Sequence, residues 1–226
     1  MEAKGKALVK QLDEQVKQQH LLNHPFYQDW QAGRLERSRL RLYAAEYYRH
    51  VEAFPRHLRT LASRASGTLR EVILENLAEE ENPQMPHVKL WQEFAAAVGA
   101  SEQELSESVP LPGTQALVDT FDRICRERPV AEAVAVLYAY EAQVPEIATQ
   151  KMDGLRRFYG VTEAKGLAYF AVHEEADVRH RTAWRAWLAA NSNGNEAGIL
   201  ATAHEALRAL WGALDAVQGA SAESCQ

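Results

Sequence analysis

Apolar residues recur at three- and four-residue steps along nearly the whole chain, and no convincing polar/apolar alternation marks a strand. The pattern predicts an all-α fold. A first helix is expected from about Lys4 to Leu22, ended by the break AsnHisProPheTyr at 23–27, because a residue before proline is pushed out of helical geometry. A long helix follows from about Leu35, with Leu40, Tyr43, Tyr47, Val51 and Phe54 on one stripe and Pro55 as an expected kink. The next helix carries Leu69, Ile73 and Leu77 and ends near Glu81; Pro83 and Pro86 separate it from a helix opening at His87, with Trp91 and Phe94 inward. SerValProLeuProGly at 108–113 reads as a loop before a helix through Cys125. One long helix is expected from about Val130 to Tyr159 and another from about Thr162 to Ala190, then a turn at 191–195 and a last helix to about Val217. Small residues fill 218–226, which reads as a disordered tail. No repeat or linker divides the chain, so one bundle of seven or more helices over residues 1–217 is the economical arrangement.

Polar groups interrupt the inward stripes at a few places, and these carry the chemistry. In HisGluGluAlaAspValArgHis, His173, Asp177 and His180 are spaced by four and then three residues. At about 100° per residue they fall within roughly 60° of one direction, on the stripe that also holds Phe170, Trp184 and Trp187. A cation is the simplest way to offset the burial of such groups, and imidazole with carboxylate suits iron, manganese or zinc. The competing reading is a histidine pair satisfied locally, beside a solvated face on which Glu175 and Arg179 pair at helical spacing.

Two further segments break an apolar stripe in the same way. Glu141 sits amid Val134, Leu137, Tyr138, Ala148, Met152 and Leu155. Pro145, four residues on, cannot donate to the Glu141 carbonyl and should bend or bulge the helix there. Alternatively Glu141 lies at the stripe's edge and reaches out to water. Glu80 extends the stripe of Leu69, Ile73 and Leu77 to the helix end, and His87 opens the next helix after Pro86, so one tight break can hold both side chains together. Three glutamates in a row are otherwise solvated surface. Three carboxylates and three imidazoles, without a thiolate, form the donor set of a two-metal site that handles iron or manganese more readily than zinc.

Composition narrows the setting. A chain of 226 residues can bury one substantial core, roughly 70–75% of its unfolded surface. A net charge of -6 and a pI near 5.8 leave no basic footprint for nucleic acid or an anionic membrane. Cys125 and Cys225 make no disulfide framework, which points to a reducing compartment. The charged N-terminus does not read as a signal peptide, and no apolar run approaches a membrane span; a cytoplasmic, soluble protein is expected.

AsnHisProPheTyr (23–27), TyrAlaAlaGluTyrTyrArgHisValGluAlaPhePro (43–55), GluGluAsn with His87, TyrGluAlaGlnValProGluIleAlaThrGlnLys (140–151) and HisGluGluAlaAspValArgHis (173–180) together resemble the haem-oxygenase-like dimetal oxidases. Within that family they are similar to the chlamydial protein associating with death domains (CADD) and its bacterial relatives, over nearly the whole chain to about residue 217. The resemblance implies a seven-helix haem-oxygenase-like bundle, usually dimeric, holding a dinuclear Fe/Fe or Fe/Mn centre on Glu80, His87, Glu141, His173, Asp177 and His180. It also implies para-aminobenzoate synthesis for folate, using dioxygen and an external reductant, in which a tyrosine of the protein supplies the ring and a lysine the amine. The matching positions are Tyr27 and Lys151, with Tyr43, Tyr47 and Tyr140 on segments that can line the same cavity.

Taken without the resemblance, Tyr27 reads as a core aromatic and Lys151 as a surface lysine flanking the inward stripe, unless desolvation lowers its pKa and frees the amine. Three other functions stay open: a dimetal oxidase turning over an external substrate, a thiaminase-type relative needing a cysteine nucleophile, and a protein-interaction module.

Overall fold

The computed structural model describes residues 2–192 and 194–220 and is all-α, with no strand among them. The helices are α1 (Glu2–Gln18), α2 (Pro25–Gln31), α3 (Arg37–Arg64), α4 (Gly67–Glu80), α5 (His87–Ala97), α6 (Glu102–Glu107), α7 (Pro112–Glu127), α8 (Val130–Glu141), α9 (Val144–Phe158), α10 (Ala164–Asn191) and α11 (Glu196–Gly219). Helix α8 is buried on every side from Glu132 to Glu141, as a helix apolar all round must be. Around it α11 packs on α7 and α8, α10 on α9, α5 and α8, and α3 on α7, α4 and α5. Trp30, Trp91, Trp184, Phe94, Phe121 and Phe170 fill the interior.

Several boundaries differ from those the sequence predicts, each for a local reason. The expected first helix stops at Gln18; Leu21–Asn23 form a short 3-10 turn, and the HisPro break then starts a helix as well as ending one. Pro25 occupies the first turn of α2, where its missing N–H costs nothing, and His24 Nδ1 accepts from Phe26 N at 3.0 Å. Helix α3 runs through Pro55 without a break. Ser101 and Glu104 form a capping box that starts α6, an element absent from the sequence reading. Gln218 and Gly219 remain helical, and the rest of the expected disordered tail beyond Ala220 lies outside the described residues.

The largest correction is between 130 and 159. One bent helix is expected; two are found, because regular helical hydrogen bonding lapses at Ala142–Gln143, although both keep right-handed helical dihedrals, and Pro145 sits in the first turn of α9. The buried Gln143 side chain makes the break specific: its Oε1 accepts from Leu21 N at 2.8 Å and its Nε2 donates to Ala139 O at 2.8 Å.

Helix α9 is seated by Gly154, whose missing side chain lets Trp30 lie against the backbone; an added Cβ would meet the indole at 2.7 Å. Trp30 Nε1 in turn donates to the Lys151 carbonyl at 3.3 Å. Gly154→Ala is expected to lower stability by about 1–3 kcal/mol, the usual cost of overpacking a filled core, read as a reduced midpoint in thermal melting.

Candidate dimetal centre and tyrosine chamber

Four helices deliver six ionisable side chains to one buried region. The last residue of α4 is Glu80, the first of α5 is His87, the last of α8 is Glu141, and α10 contributes His173, Asp177 and His180 from its middle. All six are buried, Glu141 with 1% exposure, so it does not reach out to water. They gather as two triads, Glu80, His87 and His173 in one and Glu141, Asp177 and His180 in the other, with potential ligand atoms within 4.8 Å of one another in each. His87 Nδ1 is 2.9 Å from Glu80 Oε2, His173 Nε2 is 3.8 Å from Glu80 Oε1, and His180 Nδ1 is 3.2 Å from Asp177 Oδ1. Glu141 Oε2 lies 3.9 Å from His180 Nδ1.

The electrostatics of this region are those of a site built for cations. Burial, reinforced by Asp177, pushes the Glu141 carboxyl up to about 8, although Asn76 Nδ2 donates to its Oε1 at 2.8 Å and Trp184 Nε1 to its Oε2. Burial also works against the Glu80 carboxylate, yet hydrogen bonds and charge from His173 and His87 outweigh it and hold Glu80 down to about 2. Asp177 Oδ2 is buried without a hydrogen bond. Buried lone pairs left without a donor carry a desolvation cost that a bound cation would remove. The all-oxygen and nitrogen donor set fits iron or manganese.

Beside the triads lies a chamber of aromatic rings. Tyr27 and Tyr43 share a hydrogen bond of 3.0 Å, Lys151 Nζ donates to Tyr43 Oη at 2.6 Å, and Tyr47 Oη donates to Tyr140 Oη at 2.9 Å. Lys151 is not at the surface: it is 5% exposed, and its ammonium nitrogen lies 5.3 Å from the Tyr27 ring and 5.0 Å from the Tyr43 ring. Phe170 and Trp91 complete the wall at 5.1 and 5.7 Å. Desolvation in this wall brings Lys151 down to about 7 and pushes the Tyr27 and Tyr43 hydroxyls well up. A cavity of about 20 Å³ joins Tyr27, Tyr47, Tyr140 and Lys151 to His173, room for about one water.

Residues outside the sequence-predicted set also take part. Tyr169 stacks on His173 with ring centroids 4.1 Å apart, and its carbonyl accepts from His173 Nδ1 at 2.6 Å. Asn76 and Trp184 hold Glu141, and Trp184 was visible in the sequence only as one more apolar residue of the stripe. Arg179 does not pair with Glu175; it reaches across to Glu79 on α4. Cys125 is fully buried, with its thiol pushed up to about 12 by burial, so it is no nucleophile, and Cys225 lies outside the described residues. No described helix is long and apolar enough to cross a membrane.

A family profile described as iron-containing redox enzyme matches residues 41–212. The chain belongs to this family. Within the iron-containing redox enzymes it is 39% identical to a 4-aminobenzoate synthase of Chlamydia muridarum, over 91% of this chain and 87% of that one. A 4-aminobenzoate synthase of Nitrosomonas europaea is 37% identical over 92% of this chain and 89% of its own. Among solved structures, a CADD-like protein of Nostoc punctiforme superposes with a TM-score of 0.77 at 17% identity, covering 95% of this chain and 99% of that one. The haem-oxygenase-like bundle implied by the sequence is thus the fold of this iron-containing redox enzyme, with helices beyond the expected seven.

Proposed function

We propose that the protein is an oxygen-dependent dimetal oxidase that makes 4-aminobenzoate for folate synthesis, with Tyr27 as the source of the ring and Lys151 as the amine donor. The observation that carries this reading is the chamber itself. It places a desolvated lysine against two tyrosines, beside six buried metal-type ligands, in a space with room for about one water. The ring of Tyr27 is already in place against the amine, whereas an aromatic ring from outside would need the wall to open. The relatives named 4-aminobenzoate synthase support the same product.

Glu80, His87 and His173 would hold one cation and Glu141, Asp177 and His180 the other. A dinuclear Fe/Fe or Fe/Mn centre supplies, when bound, the one-electron chemistry with dioxygen, with an external reductant restoring the electrons. The chain's own residues do the rest. Burial holds the Tyr27 hydroxyl protonated, and Tyr43 orients both partners by bonding Tyr27 Oη and Lys151 Nζ. Surrounding rings exclude water from the amine, and a pKa near 7 leaves about half of it uncharged and nucleophilic at neutral pH.

Purified protein loaded with Fe(II), or with Fe(II) and Mn(II), and exposed to dioxygen with a reductant should release 4-aminobenzoate and lose mass at both Tyr27, which gives up its ring, and Lys151, which gives up its amine nitrogen. Unchanged intact mass with accumulating product would instead mean turnover of an external substrate. Tyr27→Phe should abolish product while keeping the wild-type metal content by elemental analysis. Product formation in the wild type should climb as pH rises through about 7, because only the neutral amine attacks.

A further inference from the structure

The end of α4 sends two consecutive glutamates in different directions. Glu80 is buried and turns to His87 and His173. Glu79, with its side chain 32% exposed, turns to α10, where Arg179 grips both of its oxygens: Nη1 donates to Oε1 at 3.0 Å and Nη2 to Oε2 at 3.1 Å. Oε2 also lies 3.4 Å from His180 Nε2, a buried nitrogen that makes no hydrogen bond. The other nitrogen of that ring, Nδ1, faces the triad, 3.2 Å from Asp177 and 3.9 Å from Glu141. His173 is arranged the opposite way, with Nδ1 donating to the Tyr169 carbonyl at 2.6 Å and Nε2 facing Glu80.

An imidazole that binds a cation through one nitrogen gives the N–H of the other to a carboxylate or carbonyl, which fixes both tautomer and ring orientation. We propose that Glu79, clamped by Arg179, is the outer acceptor for His180 Nε2–H, so that His180 offers Nδ1 to the cation held with Glu141 and Asp177 while His173 offers Nε2 to the other. The inference rests on the two-cation reading above. Closing 3.4 Å to hydrogen-bond length needs a shift of a few tenths of an ångström, which a partly exposed glutamate can make. Glu79 is a positioning residue and not a ligand: Arg179 fixes both oxygens, and Oε2 keeps a lone pair for the ring nitrogen of His180 that does not face the triad. The two sites become unlike, since one imidazole leans on a carboxylate and is the stronger donor, while the other leans on a neutral carbonyl.

The test is anaerobic titration with Co(II), competed against a chromophoric chelator, with proton NMR of the loaded protein. The wild type should take up two Co(II) and show a paramagnetically shifted, solvent-exchangeable imidazole N–H that Glu79→Ala removes. Glu79→Ala should weaken one of the two sites about 10–100-fold and leave the other unchanged, which also shows that the fold is intact. Glu79→Gln, whose amide oxygen still accepts, should lose less, and Arg179→Met should fall between. In a His87→Ala background the remaining site should respond to Glu79→Ala; in an Asp177→Ala background it should not. Unchanged affinity at both sites, or equal weakening of both, overturns the proposal. Losses as large for Glu79→Gln as for Glu79→Ala would make Glu79 a ligand and overturn it as well. A wild-type chain that binds no Co(II) would instead sink the two-cation reading itself.

Discussion

Lys151→Met is expected to raise the thermal stability of the protein at neutral pH while ending 4-aminobenzoate formation. The lysine is 5% exposed, faces no carboxylate, and is surrounded by the rings of Tyr27, Tyr43, Tyr47, Trp91 and Phe170. Desolvation lowers its pKa from 10.5 to about 7. The sign of the linkage follows from that depression. Above pH 10.5 the amine is neutral folded or unfolded, and burial carries no proton penalty. As pH falls from 10.5 towards 7 the unfolded chain binds a proton that the fold does not, and stability drops; below about 7 both states bind it and the loss is constant. The gap corresponds to about 4–5 kcal/mol. Methionine fills the same space without the charge, but it forfeits the bond to Tyr43 and the cation–π contacts, so a net gain of about 2–4 kcal/mol is expected. For a chain of this size that is a rise of about 5–15 °C in melting temperature. Calorimetry at pH 7 and again near pH 10.5 checks it: the advantage of the variant should shrink as pH rises. A variant that melts at or below wild type at pH 7 would remove the desolvation argument, and with it the reason for a reactive amine.

A buried lysine of this kind is the feature the sequence disclosed least. Position 151 flanks the apolar stripe of α9, and a flanking lysine is ordinarily at the surface; here rings from α2, α3, α5 and α10 cover it. The break at Ala142–Gln143 was half legible. Pro145 announced an irregularity beside Glu141, but apolar residues on both sides hid that the helix ends there, and the bonds from Gln143 to Leu21 and Ala139 are long-range choices that periodicity does not carry. The six ligand-type residues were legible for the opposite reason. Each interrupts an apolar stripe or closes a helix at a proline, so local pattern alone marks it as misplaced. Groups that serve them through a backbone carbonyl or a stacked face, such as Tyr169, leave no such mark. Arg179 misled because helical spacing offered Glu175, while the fold offers Glu79 with two parallel hydrogen bonds, the stronger arrangement.

Loading both triads with divalent cations is expected to stabilise the fold by about as much again. Three carboxylates and three imidazoles are buried together, and lost hydration, reinforced by repulsion from Asp177, is visible in the Glu141 carboxyl pushed up to about 8. A cation in each triad replaces those costs with direct bonds, and it binds the folded state alone because the unfolded chain scatters the ligands over about a hundred residues between Glu80 and His180. At free metal a hundredfold above the dissociation constant, each site contributes about 2.7 kcal/mol, or about 5 kcal/mol for the pair. Protein stripped with a chelator should therefore melt about 10–20 °C below protein reloaded anaerobically with Fe(II) or Mn(II). Asp177→Ala should lose one cation by elemental analysis and about half of that gain, because it removes a ligand from one triad and leaves Glu80, His87 and His173 in place. Identical melting of stripped and reloaded protein would mean that the six side chains do not act as ligands, and the chemistry proposed for Tyr27 and Lys151 would then have no metal centre to activate dioxygen.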